Sequence, residues 1–123
     1  MKLYLTHPSN YDYRTELYAP LKASLGQTHD IFYPHDEHPD GVLSKDIIPT
    51  CDLVLAEVSE PSTGQGIELG WANAAGVPII CFYRRGAKVS GSLRFISDEL
   101  VTYETTDEMV AALTDRVARI AAN

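Results

Sequence analysis

The run Val77-Pro78-Ile79-Ile80-Cys81-Phe82-Tyr83 contains no charged residue and no polar alternation. A strand written this way is buried on both faces, as happens in a parallel sheet covered by helices. The rest of the chain repeats the theme. Lys2 to Thr6, Ile31 to Tyr33, Asp52 to Val58 and Leu100 to Tyr103 are further runs of strand length. Helix-period segments separate them. Tyr13, Leu17, Leu21 and Leu25 recur every four residues, with Pro20 predicting a kink or shifted start and Gly26 a stop. Ser44 is placed to cap a short helix that Pro49 disturbs, and His35 to Gly41 reads as a loop. Gly64 to Gly76 is an alanine-rich helix. Val110, Leu113, Val117 and Ile120 line a last helix behind a Thr105…Glu108 capping pattern.

Five strands alternating with helices predict an α/β fold: a doubly wound, flavodoxin-like (Rossmann-like) five-stranded parallel sheet of order 2-1-3-4-5, in three α/β/α layers. Its switch point lies between strands 1 and 3, where the loops after Thr6 and Val58 meet and open sheets take ligands. At 123 residues the chain suits one domain over 1–123. No apolar run approaches the roughly 20 residues that span a bilayer, and the start lacks a secretion signal, so no membrane contact is expected. Cys51 and Cys81 lie in or beside buried strands without metal-type spacing, which suits reduced thiols and a cytoplasmic protein. A net charge of −7 argues against a nucleic-acid polymer as partner. Arg84, Arg85, Lys88 and Arg94 nevertheless crowd into one stretch, which is either a solvated loop or a seat for a small anion.

No dinucleotide fingerprint follows the first strand and no GxxxxGK[ST] loop is present, so oxidoreductase and P-loop readings fail. The Ser59–Gly66 loop is still suited to an anion or hydroxyl. Gly64 and Gly66 allow close backbone approach, and a helix N-terminus follows. Either Ser62 or Thr63 merely caps that helix, or the Ser62 hydroxyl meets a ligand. Glu68 is expected in the helix's first turn, where the free N–H groups favour an ionised carboxylate. It is then either a nucleophile or an ordinary helix acid. His35-Asp36-Glu37-His38 can be drawn as a metal site, but Pro34 and Pro39 bracket it and no helix fixes its spacing, so no metal is expected. His35 then lines a pocket and His38 is solvated. Tyr11, Tyr13 and Tyr18 can stack on a base or pack a helix. Trp71 fits a core or a subunit interface, and Glu57 is a paired structural acid or a pocket residue.

Asp52-Leu53-Val54-Leu55-Ala56-Glu57-Val58, then Pro61-Ser62 and Gly64-Gln65-Gly66-Ile67-Glu68-Leu69-Gly70, resembles the signature of the nucleoside 2-deoxyribosyltransferase superfamily, nearest the 2′-deoxynucleoside 5′-phosphate N-hydrolase branch. The resemblance runs from Leu3-Tyr4 to Ser90-Gly91-Ser92 and is dense from Asp52 to Gly70. It implies cleavage of the N-glycosidic bond of a 2′-deoxynucleoside or its 5′-monophosphate, without cofactor. Glu68 would attack the anomeric carbon, with Tyr4 positioning it. Ser62 would bind the 5′ end, and Ser92 would reach the phosphate from the neighbouring subunit of a homodimer. The superfamily aspartate before strand 3 is Ser44 here, leaving Asp46 and His35 as candidates for the general acid. The first-loop arginine is Asn10, with Arg14 or the Arg84-Arg85-Lys88 cluster as other sources of charge. A non-catalytic nucleotide-binding module and an N-glycosidase for ribosyl nucleotides are the alternatives.

Overall fold

The computed structural model describes residues 1–37 and 44–122. Five strands, β1 (Lys2–Thr6), β2 (Asp30–Phe32), β3 (Leu53–Glu57), β4 (Ile79–Arg84) and β5 (Glu99–Tyr103), form one all-parallel sheet in the order β2-β1-β3-β4-β5. This is the expected order. The helices are α1 (Ala19–Lys22), α2 (Pro34–Glu37), α3 (Ser44–Ile47), α4 (Thr63–Ala74) and α5 (Thr106–Ala121). None of them is long and apolar enough to cross a membrane among the described residues.

Side-chain alternation splits the interior into two cores. Leu3, Leu5, Leu53, Leu55, Ile80 and Phe82 face Leu17, Leu21, Met109, Leu113 and Val117 of the first helical segment and α5. Tyr4, Val54, Ala56, Ile79 and Cys81 face Ile48, Leu69 and Ala72 on the other side. The split fixes which β1 side chains look toward α4.

Several boundaries differ from expectation for identifiable reasons. Pro20 has no N–H to donate to the residue four before it. Arg14–Tyr18 accordingly forms a wide π-type turn, closed by the Ala19 N–H on the Arg14 carbonyl, before α1 begins. Gly26 has steric need of its hydrogen, since a Cβ there would lie 3.0 Å from the Leu21 carbonyl oxygen and 3.1 Å from Tyr33 Oη. Within the expected 35–41 loop, Pro34–Glu37 is a helical turn, with proline at the first position where its missing N–H costs nothing. The rest of that loop lies outside the described residues. α4 stops at Ala74, ahead of Gly76, because Gly76 at φ 75 closes a Schellman motif. Its N–H bonds the Asn73 carbonyl at 3.1 Å, and the Val77 N–H bonds that of Ala72 at 3.0 Å. β4 therefore starts at Ile79, beyond Val77 and Pro78.

Candidate active site

Alternation along β1 turns Tyr4 and Thr6 toward α4 at the switch point of the sheet. Ser62 caps α4, its Oγ accepting the Gln65 N–H at 3.4 Å, so the helix begins at Thr63 and Glu68 is its sixth residue. Glu68 thus sits in the second turn, which corrects the first-turn expectation. The helix's free N–H groups and their charge effect are confined to the first turn and do not reach it. Hydroxyls hold it instead. Tyr4 Oη donates to Glu68 Oε2, Ser44 Oγ donates to the same oxygen at 2.7 Å, and Thr6 Oγ1 donates to Oε1 at 3.1 Å.

Tyr4 Oη and Ser44 Oγ are also 2.6 Å apart. Each hydroxyl has one proton. With Glu68 as the carboxylate, both protons point at Oε2 and the Tyr4–Ser44 contact carries none. Burial, reinforced by the neighbouring Glu68, raises the Tyr4 phenol far above its usual range and keeps it a donor. Tyr4 and Ser44 are buried at 0% and 4% exposure, while Glu68 is half-buried. The arrangement is a half-buried carboxylate held by three hydroxyls.

Asp46 is not part of it. It is exposed, and residues two apart on a helix point about 160° from each other, so only one of Ser44 and Asp46 can face Glu68. Ser44 is the residue that faces it. Thr6 escaped the sequence reading although a signal existed. A polar residue ending an apolar strand, two positions from Tyr4, had to share its face.

The other candidates fall into separate neighbourhoods. Ser62, Gly66 and Ser92 line one cavity of about 520 Å³ between α4 and residues 90–96, with Leu69, Leu93 and Ile96. Glu68 does not line it, because Gly66 and Gly70 lie about 160° around the helix from the carboxylate. A Cβ on Gly64, Gly66 or Gly70 would meet nothing within 4 Å, so packing inside the chain does not require glycine there. Asn10 is exposed and lines a smaller cavity of about 80 Å³ with Tyr11, Glu57, Ser59 and Arg84. Arg14 bonds Asp36, Arg85 pairs with Glu104 at 2.6 Å, and Arg84 pairs with Glu16 at 3.1 Å while lying over the Tyr11 ring. These cations are already engaged.

His35 packs in an aromatic cluster, its ring centroid 5.1 Å from those of His7 and Tyr13. Tyr18 is 2% exposed and belongs to the core, which is the packing reading of that tyrosine. His7 is buried and neutral. Its Nδ1 donates to the Pro8 carbonyl at 2.7 Å, which leaves Nε2 to accept from Tyr18 Oη at 2.7 Å. Burial, opposed by the Pro8 bond and aided by His35, pushes the imidazole down to about 4. Among the described residues no group of three or more His, Cys, Asp or Glu could hold a metal ion, and His38 lies outside them.

No family model matches the chain. A protein of Syntrophotalea carbinolica named 2′-deoxynucleoside 5′-phosphate N-hydrolase 1, a name that marks the activity as assumed, is 30% identical over 117 residues, covering 82% of each chain. The 5-hydroxymethyl-dUMP N-hydrolase of Rattus norvegicus is 47% identical over 49 residues, 38% of this chain and 30% of that one. The structure of the Clostridium botulinum CMP N-glycosidase superposes with a TM-score of 0.69 at 22% identity, over 93% of this chain and 99% of that one. At that identity the likeness speaks for the fold.

Proposed function

The chain belongs to the 2′-deoxynucleoside 5′-phosphate N-hydrolase family, and from that premise we propose that it cleaves the N-glycosidic bond of a 2′-deoxynucleoside or its 5′-monophosphate with Glu68 as nucleophile. The observation that carries the reading is the carboxylate itself. Glu68 stands at the sheet's switch point, both oxygens held by the hydroxyls of Tyr4, Ser44 and Thr6.

In the first step a Glu68 oxygen bonds to C1′ as the C1′–N bond breaks, and the bonding pair leaves with the base, which takes up a proton from solvent. The developing charge at C1′ is oxocarbenium-like, and a carboxylate on one face stabilises it. A 2-deoxy sugar has no 2-hydroxyl to withdraw electrons from that centre. In the second step water attacks C1′, the ester bond breaks and the Glu68 carboxylate returns, with the water proton going to solvent. A second base in place of water gives exchange. Oε2 already accepts two hydrogen bonds and Oε1 one, so Oε1 keeps more of its electron density and is the attacking oxygen.

The capped start of α4, with Ser62 and the backbone of Thr63 and Gly64 ahead of the first helical bond, takes the 5′ end. The reading includes a single domain over 1–123 and a homodimer that buries the open face of α4. Gly66, Gly70 and Ile67, the last 49% exposed, support it, with Ser92 crossing to the partner's site. Two free, buried cysteines suit the cytoplasm.

The test is chromatography of deoxynucleosides, deoxynucleotides and ribonucleotides incubated with pure protein, with and without an acceptor base. Wild type releases a base from at least one of them and Glu68→Ala does not. Equal turnover by both removes Glu68 as nucleophile. Cleavage of ribonucleotides in the same panel moves the substrate class to ribosyl nucleotides, and binding without cleavage leaves a nucleotide-binding module.

A further inference from the structure

Glu57 is a charged residue with only 1% exposure, at the carboxyl end of β3, and the glycosidic chemistry does not use it. Both oxygens of its carboxylate accept hydrogen bonds from the protein. Oε1 accepts the Ser59 N–H at 2.6 Å, and Oε2 accepts the Ser59 hydroxyl at 2.8 Å and the Tyr103 phenol from β5. Ser59 Oγ in turn accepts the Arg84 N–H at 2.9 Å. The Glu57 carbonyl accepts the side-chain amide of Gln65 at 2.6 Å, and Gln65 is 5% exposed in the first turn of α4. The segment from Val58 to Ser62 is therefore tied to one residue at both its ends. Tyr103 bonds Glu57, and Tyr11, Arg84 and Glu60 are the titratable groups that line one small cavity with it.

A buried carboxylate is a costly way to hold a sheet together, since apolar side chains of similar volume serve stability as well or better. What it supplies is direction. A hydrogen-bonded carboxylate fixes the path of a loop to within a few tenths of an ångström, and backbone donors that meet an anion need that placement. We propose that Glu57 is a positioning residue, whose carboxylate, anchored by Tyr103, sets the strand-to-helix loop through Ser59 and hence the α4 N-terminus that receives the 5′ group of the substrate. The inference rests on the functional reading above and adds to it a residue that touches no reacting atom. Its signature is selective. Loosening the loop weakens ligands that carry a 5′-phosphate and spares the matched nucleoside, whose sugar and base lie toward Glu68.

The experiment is calorimetric titration of a deoxynucleoside 5′-monophosphate and the same deoxynucleoside into Glu68→Gln, which binds without turnover. The same titrations follow in that background with Glu57→Gln, with Ser59→Ala and with both. Thermal unfolding confirms that each variant is folded, and Ser59→Ala, on a half-buried loop position, carries the test should Glu57→Gln not fold. Each substitution is expected to weaken the monophosphate about tenfold and the nucleoside less than threefold, with the double variant no worse than the worse single. Unchanged monophosphate binding, equal loss of both ligands, or additive losses would overturn the role of Glu57. A parent that binds neither ligand removes the functional reading itself, and this inference with it.

Discussion

Three hydroxyls around one carboxylate define the chemistry at the residue scale, and each has a measurable weight. Tyr4→Phe removes a donor while keeping the ring, and kcat is expected to fall about 100-fold with KM little changed, a misplacement cost. Thr6→Val and Ser44→Ala are each expected to lower kcat about tenfold. Steady-state kinetics on the substrate found in the panel checks all three, and an unchanged kcat in Thr6→Val would show that Oε1 needs no holding. His7 gives a stability prediction. Its imidazole is pushed down to about 4 in the fold against 6.5 in the unfolded chain. Between those values the unfolded state binds more protons, so this contribution is fully present above pH 6.5 and lost as pH falls. It amounts to about 2 kcal/mol between pH 7.5 and pH 5. Urea unfolding at the two pH values should show that loss in wild type and a flatter response in His7→Gln; parallel curves would place the proton elsewhere.

At the scale of elements, α4 carries the site and both its ends are built by local rules. Ser62 caps the start and Gly76 closes the end at φ 75. Ser62→Ala should cost about 1 kcal/mol by loss of the cap. Gly76→Ala should cost a further 1–2 kcal/mol or so, because an L side chain is strained in the left-handed region. Denaturant midpoints measure both. A neutral Gly76→Ala would mean that the Schellman turn is not held in solution. The same local rules explain where the sequence reading of this element succeeded and where it failed. Glycine and the capping serine marked the helix, but whether the first helical residue was Thr63 or a later one decided if Glu68 met backbone N–H groups or hydroxyls.

The whole molecule is a sheet that separates two cores, and the site hangs on the separation. Leu55, fully buried in the larger core at the centre of β3, has no part in the chemistry. Leu55→Ala should cost about 3 kcal/mol, read by urea unfolding, while the folded fraction keeps its kcat. Assembly is tested separately by mixing. Inactive Glu68→Ala and a weakened Ser92→Ala variant should regain activity on subunit exchange if Ser92 crosses between subunits. No recovery in a confirmed mixed dimer would confine the site to one chain.

The sequence alone determined the sheet. Periods of two and four, strand runs too apolar to be half-exposed, and the rule for connecting parallel strands leave little besides the order β2-β1-β3-β4-β5. The resemblance carried by Leu3-Tyr4 and the Asp52 to Gly70 run named Tyr4 and Glu68 as companions, and the structure joins them by a hydrogen bond. Tertiary structure decided what surrounds them. Ser44 and Thr6 reach Glu68 across 24 and 62 residues of chain; alternation sets Thr6 on the face of Tyr4, but only the fold brings either hydroxyl to Glu68. Asp46 lost its place to Ser44 by the angle between helical neighbours, which depends on how α3 is turned against the sheet. The sequence left Glu57 as a paired structural acid or a pocket residue, and only its burial beside Tyr103 and Ser59 shows the pairing. Periodicity is written along the chain, whereas the partners of a buried polar group are chosen by the elements that happen to close over it.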